Sequence, residues 1–223
     1  MMMRYRIFGM TLASVCLITA VMASGWNVNI TQSDGFVNPG TAFQVPVTIN
    51  TTYYFPPIVS VTVNTFPQIT FLTNASTPPV IVGDGSGHIG ATFDAAYDIS
   101  GKSVNGFTFI VSAFVWGRGQ IDWQKTVRDA AGNVLWSGSG SFKGSAIGGS
   151  DGAHTVNIFV PLGGSYNSVF VTENFTLTTN GDPGYGQTTA ALLLVEQDWV
   201  PEPASMLALG VGLAGLALRR RRK

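Results

Sequence analysis

Charge is scarce in this 223-residue chain: 11% of its side chains are Asp, Glu, Lys or Arg, against about 25% in an ordinary globular protein. Scarcity at that level excludes a charged disordered tail and a coiled coil, both of which need abundant ions. There is one cysteine, Cys16, and there are two histidines, His88 and His154. Residues 17–223 therefore cannot form a disulfide, and a tight zinc or copper site has no recognisable ligand spacing to build on. No fixed-period repeat recurs, which argues against a solenoid or a propeller. What the sequence does have is glycine (27 residues), phenylalanine (14) and an apolar fraction of 45%. That is enough to bury a core without crosslinks. The formal net charge is zero. Between residues 24 and 200, however, Lys102, Arg118, Lys125, Arg128 and Lys143 stand against eleven carboxylates, a balance of −6. A mildly acidic body excludes nucleic acid as a partner, since that ligand needs a basic face.

The basic residues missing from the body sit at the two ends. Arg4 and Arg6 precede an uncharged apolar stretch, Ile7 to Met22, and Val21 and Ala23 are the small residues a signal peptidase requires before its cut. Residues 1–23 therefore read as a secretory signal peptide; the alternative is an uncleaved anchor, for which the run is short. At the other end, Pro201-Glu202-Pro203 is followed by fifteen uncharged residues, 204–218, and then by Arg219, Arg220, Arg221, Arg222 and Lys223. A helix of fifteen residues rises about 22 Å, and snorkelling by Arg219 brings it close to spanning a membrane. The basic cluster acts as a stop-transfer signal that stays cytoplasmic and leaves the body outside. The two ends give one topology.

Residues 200–223, V-P-E-P-A-S-M-L-A-L-G-V-G-L-A-G-L-A-L-R-R-R-R-K, resemble the PEP-CTERM sorting signal of Gram-negative bacteria, a segment also called the ice-binding protein C-terminal domain. The Pro-Glu-Pro triad, the Gly/Leu-rich span and the arginine-rich end follow in order. The resemblance implies processing by an exosortase, a membrane-embedded cysteine peptidase, and an association with exopolysaccharide and biofilm production. It implies tethering in the inner membrane during sorting, then a place at the cell surface or outside the cell. It covers about a tenth of the chain and implies nothing about the activity of residues 24–198.

Those residues read as strand throughout. Runs rich in Val, Ile, Thr, Phe and Tyr alternate with Gly, Asn, Asp and Pro clusters. Candidates are 26–31, 43–50, 58–63, 69–73, 107–116, 120–127, 134–142, 155–160, 169–178 and 189–196. Asp129 to Asn133 has the residues of a hairpin connection, and 91–97 is the one faint helical candidate. The prediction is an all-β chain: a single jelly-roll-like β-sandwich domain over 24–198, between a signal peptide (1–23) and a sorting segment (199–223) with a transmembrane helix at 204–218 and a basic tail at 219–223.

No constellation points to catalysis. Gly148-Gly-Ser150-Asp-Gly152 fits G-x-S-x-G, but the hydrolase elbow needs a strand before the serine and a helix after it, and here a loop precedes and a strand follows. A glycosidase needs two carboxylates facing one sugar, and nothing pairs Glu173 or Glu196 with an aspartate. Neither a catalytic residue nor a metal ligand nor a cofactor is expected; loop aspartates such as Asp84, Asp151 and Asp182 leave calcium open. Trp116, Trp123 and Trp136 are expected in the core. Tyr53, Tyr54 and Phe55, before Pro56-Pro57, are the candidate glycan contacts, as three rings on a proline-stiffened loop. The alternative is that they fold back on the domain. The favoured reading is an exported, non-catalytic structural or adhesive protein. A carbohydrate-binding module comes second, and a secreted glycan-active enzyme is a distant third.

Overall fold

The computed structural model describes residues 26–38, 41–44, 47–49, 53–55, 59–63, 67–75, 79–84, 88–182 and 185–201. The expected signal peptide with Val21 and Ala23, the expected membrane helix, Glu202, Pro203 and the basic tail lie outside the described residues. Within them the chain forms strands β1 (Asn27–Asn38), β2 (Thr41–Gln44), β3 (Val47–Ile49), β4 (Tyr53–Phe55), β5 (Val59–Val63), β6 (Pro67–Phe71), β7 (Ile81–Asp84), β8 (Gly90–Trp116), β9 (Gln120–Asp129), β10 (Val134–Lys143), β11 (Gly152–Thr178) and β12 (Tyr185–Pro201). Two 3-10 turns, Thr73–Ala75 and Ser145–Ile147, are the helical elements among the described residues. No helix there is long and apolar enough to cross a membrane.

Among the described residues all strand pairs are antiparallel and belong to one hydrogen-bonded sheet. Two strands of 27 residues, β8 and β11, pair along nearly their whole length. Near the middle both are interrupted: Gly101 and Gly163 take positive φ, at 100° and 72°, and the pairing register shifts between Pro161 and Ser168. On one side of this interruption, residues 90–100 of β8 and 168–178 of β11 are flanked by β1 and by β9, which β10 extends. On the other side, residues 104–116 of β8 are flanked by β12, which β6, β5 and β4 extend, while β7 pairs with the first part of β12. The two halves face each other. Phe107 of the second half meets Trp136 of β10 with centroids 5.5 Å apart, and Phe109 meets Trp123 of β9 at 5.3 Å. Phe71 of β6 packs edge-on against Phe93 of the first half at 5.6 Å. The fold is an all-β, two-layer sandwich whose layers are joined by continuous strands.

The alternation that produces this is plain along β8, where Phe93, Ala95, Tyr97, Ile99, Phe107, Phe109, Val111, Ala113 and Val115 are buried and their neighbours, Gly106 apart, are not. Inward positions of β1, β6, β7, β9, β10, β11 and β12 complete one core. Residues 91–97, the faint helical candidate, are the first part of β8. Their small Ala residues mimic helix composition, but Ala91, Phe93, Ala95 and Tyr97 point to one face at strand period. Trp116 also departs from expectation: it ends β8 on the outward side and is 47% exposed, whereas Trp123 is buried and Trp136 packs against the core. The last strand runs three residues past the expected domain end. Trp199 is fully buried and stacks on Phe107 at 4.8 Å, and Pro201 still pairs with Val104.

Asp129 closes the β9–β10 hairpin as the sequence predicts, accepting hydrogen bonds from Ala131 N and Asn133 N at 2.9 Å each. The β8–β9 turn is tighter. A Cβ on Gly119 would stand 1.9 Å from the Thr189 carbonyl oxygen, whereas one on Gly132, at φ 85°, meets nothing within 4 Å. Gly132→Ala should cost about 1–2 kcal/mol, the penalty of a left-handed alanine. Gly119→Ala, which must displace β12 backbone, should lower the urea midpoint well below that of Gly132→Ala; equal midpoints would contradict the packing of this turn.

Candidate functional site

The outward positions of the first layer carry a regular polar grid. Strand pairing aligns Asp94 of β8, Asn174 of β11, Gln124 of β9 and Ser139 of β10 in one row across four strands. Thr92, Thr176, Asp122 and Ser141 form the next row, and Ala96, Thr172, Thr126 and Ser137 the one after. The rows follow from residues of alternating character, such as Thr172-x-Asn174-x-Thr176, whose intervening partners face the core. Two shallow hollows lie on this face. One of about 530 Å³ is lined by Asp122, Gln124, Ser139, Ser141 and Asn174. The other, of about 230 Å³, is lined by Gln32, Asp94, Gln124, Thr126, Thr172 and Asn174. They share Gln124 and Asn174 and so form one trough. Asn174 Nδ2 donates to Asp94 Oδ1 at 2.5 Å, and Gln120 Nε2 donates to both oxygens of Asp122 at 2.8 and 2.9 Å. Phe170, on the same face of β11, is 45% exposed and offers a ring at one end. Amides, hydroxyls and carboxylates at this density match the donors and acceptors of a hydroxyl-rich ligand.

Directly beneath this face is a polar cluster within the core. Lys125 and Glu173 are completely buried and joined at 2.6 Å, Nζ to Oε1. Gln197 Nε2 donates to Glu173 Oε2 at 3.2 Å, and the Tyr97 hydroxyl donates to Gln197 Oε1 at 3.0 Å. Lys125 Nζ lies 4.5 Å from the Phe109 ring centre and 4.8 Å from that of Phe107, where the ring faces support a cation. Burial lowers the Lys125 amine from its ordinary value to about 8, with Glu173 resisting the fall. Burial likewise raises the Glu173 carboxyl against the pull of Lys125, and burial together with the Glu173 charge holds the Tyr97 hydroxyl well above its usual range. The buried Trp199 indole N–H faces that hydroxyl too loosely for a formed hydrogen bond, yet offsets part of the rise.

The residues singled out in the sequence fall elsewhere. Tyr53, Tyr54 and Phe55 form β4, a short strand paired with Val59–Val61 rather than a loop, and it belongs to the second layer while the trough belongs to the first. Their side chains lie outside the described residues. Ser150 precedes β11 with no helix after it; His154 Nε2 contacts its backbone oxygen at 2.8 Å, not its hydroxyl. Asp151 is a loop clamp, accepting from Gly117 N at 2.7 Å and from Ser145 N and Oγ at 2.9 and 2.6 Å, bonds that lower its carboxyl. Among the described residues no group of three His, Cys, Asp or Glu side chains is placed to hold a metal ion. The Glu173 carboxyl is fully buried within the core.

Pro201, the first residue of the Pro-Glu-Pro triad, is buried at the end of β12. Residues 200–222 match the PEP-CTERM protein-sorting motif. The chain carries a PEP-CTERM sorting motif. No curated protein matches the chain in sequence. Among solved structures, TmCBM61 in complex with beta-1,4-galactotriose shares 10% identity, with 83% of this chain and 94% of that one covered and a TM-score of 0.33. The infectious bursal disease virus VP2 subviral particle shares 9% identity over 82% of this chain and 54% of that one, with a TM-score of 0.35. An arabinose-bound α-L-arabinofuranosidase, MgGH51, shares 13% over 63% of this chain, which spans 22% of the enzyme's length, with a TM-score of 0.26. At such TM-scores none of them bears on this chain's chemistry.

Lys125→Met should strand Glu173 without its cation and cost about 3–5 kcal/mol. In that variant the folded carboxyl holds its proton more tightly than the unfolded one. Stability therefore falls as pH rises through the raised value and recovers toward the ordinary value of 4.5. Denaturant titrations of the variant across that window check the sign, and a stability that instead rises with pH there would contradict the burial of Glu173.

Proposed function

We propose that the chain is an exported, non-catalytic protein of the cell surface or biofilm matrix, and that it adheres to extracellular polysaccharide through the outer face of its first layer. The observation that carries this reading is the polar row Asp94, Asn174, Gln124 and Ser139, set in a continuous trough with the exposed Phe170 ring at its end. Amide and carboxylate groups repeated at the strand spacing of about 4.8 Å suit the hydroxyls of successive sugar units. The ring adds a surface on which a sugar can stack. The trough is shallow and lacks a row of aromatic platforms. Each site then binds weakly, and retention comes from many sites on one polymer.

The sorting motif supports the rest. A signal peptide delivers the chain across the inner membrane, the segment after Pro203 tethers it there, Arg219 to Lys223 stop transfer, and an exosortase processes the tail and releases the body to the surface.

Two measurements test this. Affinity electrophoresis in gels containing the host's own exopolysaccharide should retard the protein, and Gln124→Ala with Asn174→Ala should weaken that binding by roughly tenfold, equivalent to about 1.4 kcal/mol. Unimpaired binding in this variant, with loss on changing Tyr53, Tyr54 and Phe55 to Ala, would move the contact to β4. Mass spectrometry of the protein from its host should find the C-terminus near Pro203; a chain ending at Lys223 would refute processing.

A further inference from the structure

The buried cluster contains the parts of an amide-exchange reaction, arranged in order. Lys125 supplies an amine in an apolar box walled by Phe107 and Phe109. Gln197 supplies a carboxamide. Glu173 bridges the two: one oxygen contacts Lys125 Nζ at 2.6 Å and the other accepts from Gln197 Nε2 at 3.2 Å. The Tyr97 hydroxyl donates to Gln197 Oε1 at 3.0 Å, the oxygen on which negative charge would build during attack at Cδ. The Tyr97 hydroxyl also accepts from Lys125 Nζ at 3.4 Å, so one group touches both the amine and the carboxamide.

We propose that Lys125 and Gln197 condense, with Glu173 as proton shuttle and Tyr97 as oxyanion donor, to form an intramolecular isopeptide bond between β9 and β12. The Lys125 proton first passes to Glu173, leaving a neutral amine and a neutral acid. Burial favours that transfer from both sides, since it lowers the amine and raises the carboxyl. The amine attacks Gln197 Cδ, and a C–N bond forms. Glu173 takes the proton released by the attacking nitrogen and gives one to Gln197 Nε2. The bond from Cδ to Nε2 then breaks, ammonia leaves, and it takes its own proton from water outside the protein. No oxidant, metal or cofactor is needed, and the exchange conserves atoms and charge. Glu173 ends as the neutral acid, so the core loses both buried charges.

The bond has a structural purpose that the sequence cannot meet otherwise. Residues 17–223 contain no cysteine. Lys125 lies in the first layer and Gln197 in the second, so the link would tie the layers together across the core and close a large loop against unfolding, as a disulfide would.

Peptide mapping of the full-length folded protein is the test. The expected result is a branched peptide joining the segments that contain Lys125 and Gln197, lighter than the two together by one ammonia. Trypsin should fail to cut after Lys125. The link should be absent from chain held in denaturant since synthesis, and should grow in on refolding. Glu173→Gln and Lys125→Arg should both leave the segments separate. Folded wild-type protein with unlinked Lys125 and Gln197 would overturn the proposal. A branched peptide lighter by one water, joining Lys125 to Glu173, would overturn the assignment to Gln197.

Discussion

The pairing of β8 with β11 is the constraint on which the rest of the molecule depends. Each is 27 residues long, far beyond the usual strand of five or six. Held together they act as a folded ribbon: one half seeds the layer of β1, β9 and β10, the other seeds the layer of β12, β6, β5 and β4. Because the same two strands run through both layers, the inward faces of the layers are set by one register. A slip of one residue anywhere along the ribbon would turn Phe93, Tyr97, Phe107 and Phe109 outward at once. The interruptions at Gly101 and Gly163 lie where the ribbon changes layers, and they take the positive φ that an ordinary side chain resists.

That register also determines where polarity can enter the core. Lys125, Glu173, Tyr97 and Gln197 come from four strands and meet because each occupies an inward position at the same level of the sandwich. Placed on water-facing positions they would form ordinary surface contacts of little energetic value. Enclosed by Phe107, Phe109 and Trp199 they are strongly coupled, and removal of one partner leaves another charged or polar group without compensation. The outer trough and the inner cluster are opposite faces of the same strands: Gln124 faces out beside the inward Lys125, and Asn174 faces out beside the inward Glu173.

Much of this was legible in the sequence, unevenly. The all-β class, the β9–β10 hairpin at Asp129 and most strand cores follow from alternation and turn chemistry. The length of β8 and β11 does not, because glycine at 101, 106 and 163 reads as a turn when the partner strand is unknown. Trp116 looks like core by composition, and only the register shows that it faces outward at a strand end. The buried cluster had a signal that composition hides. Lys125 between Trp123 and Val127, Glu173 between Val171 and Phe175, and Gln197 between Val195 and Trp199 each break an apolar alternation at the inward position. The trough had none, since Thr, Asn, Gln and Ser on alternate positions describe any solvated sheet face.

The last strand has a mechanical consequence. β12 is hydrogen-bonded to β8 on one side and to β6 and β7 on the other, and it ends at Pro201, the opening residue of the sorting motif. A force applied to the chain beyond that residue is directed along β12, across ladders whose bonds lie nearly perpendicular to the pull. Those bonds are loaded together in shear instead of being unzipped one at a time. Such a load would enter the body at a strand inside the sandwich, with Trp199 seated two residues from Pro201.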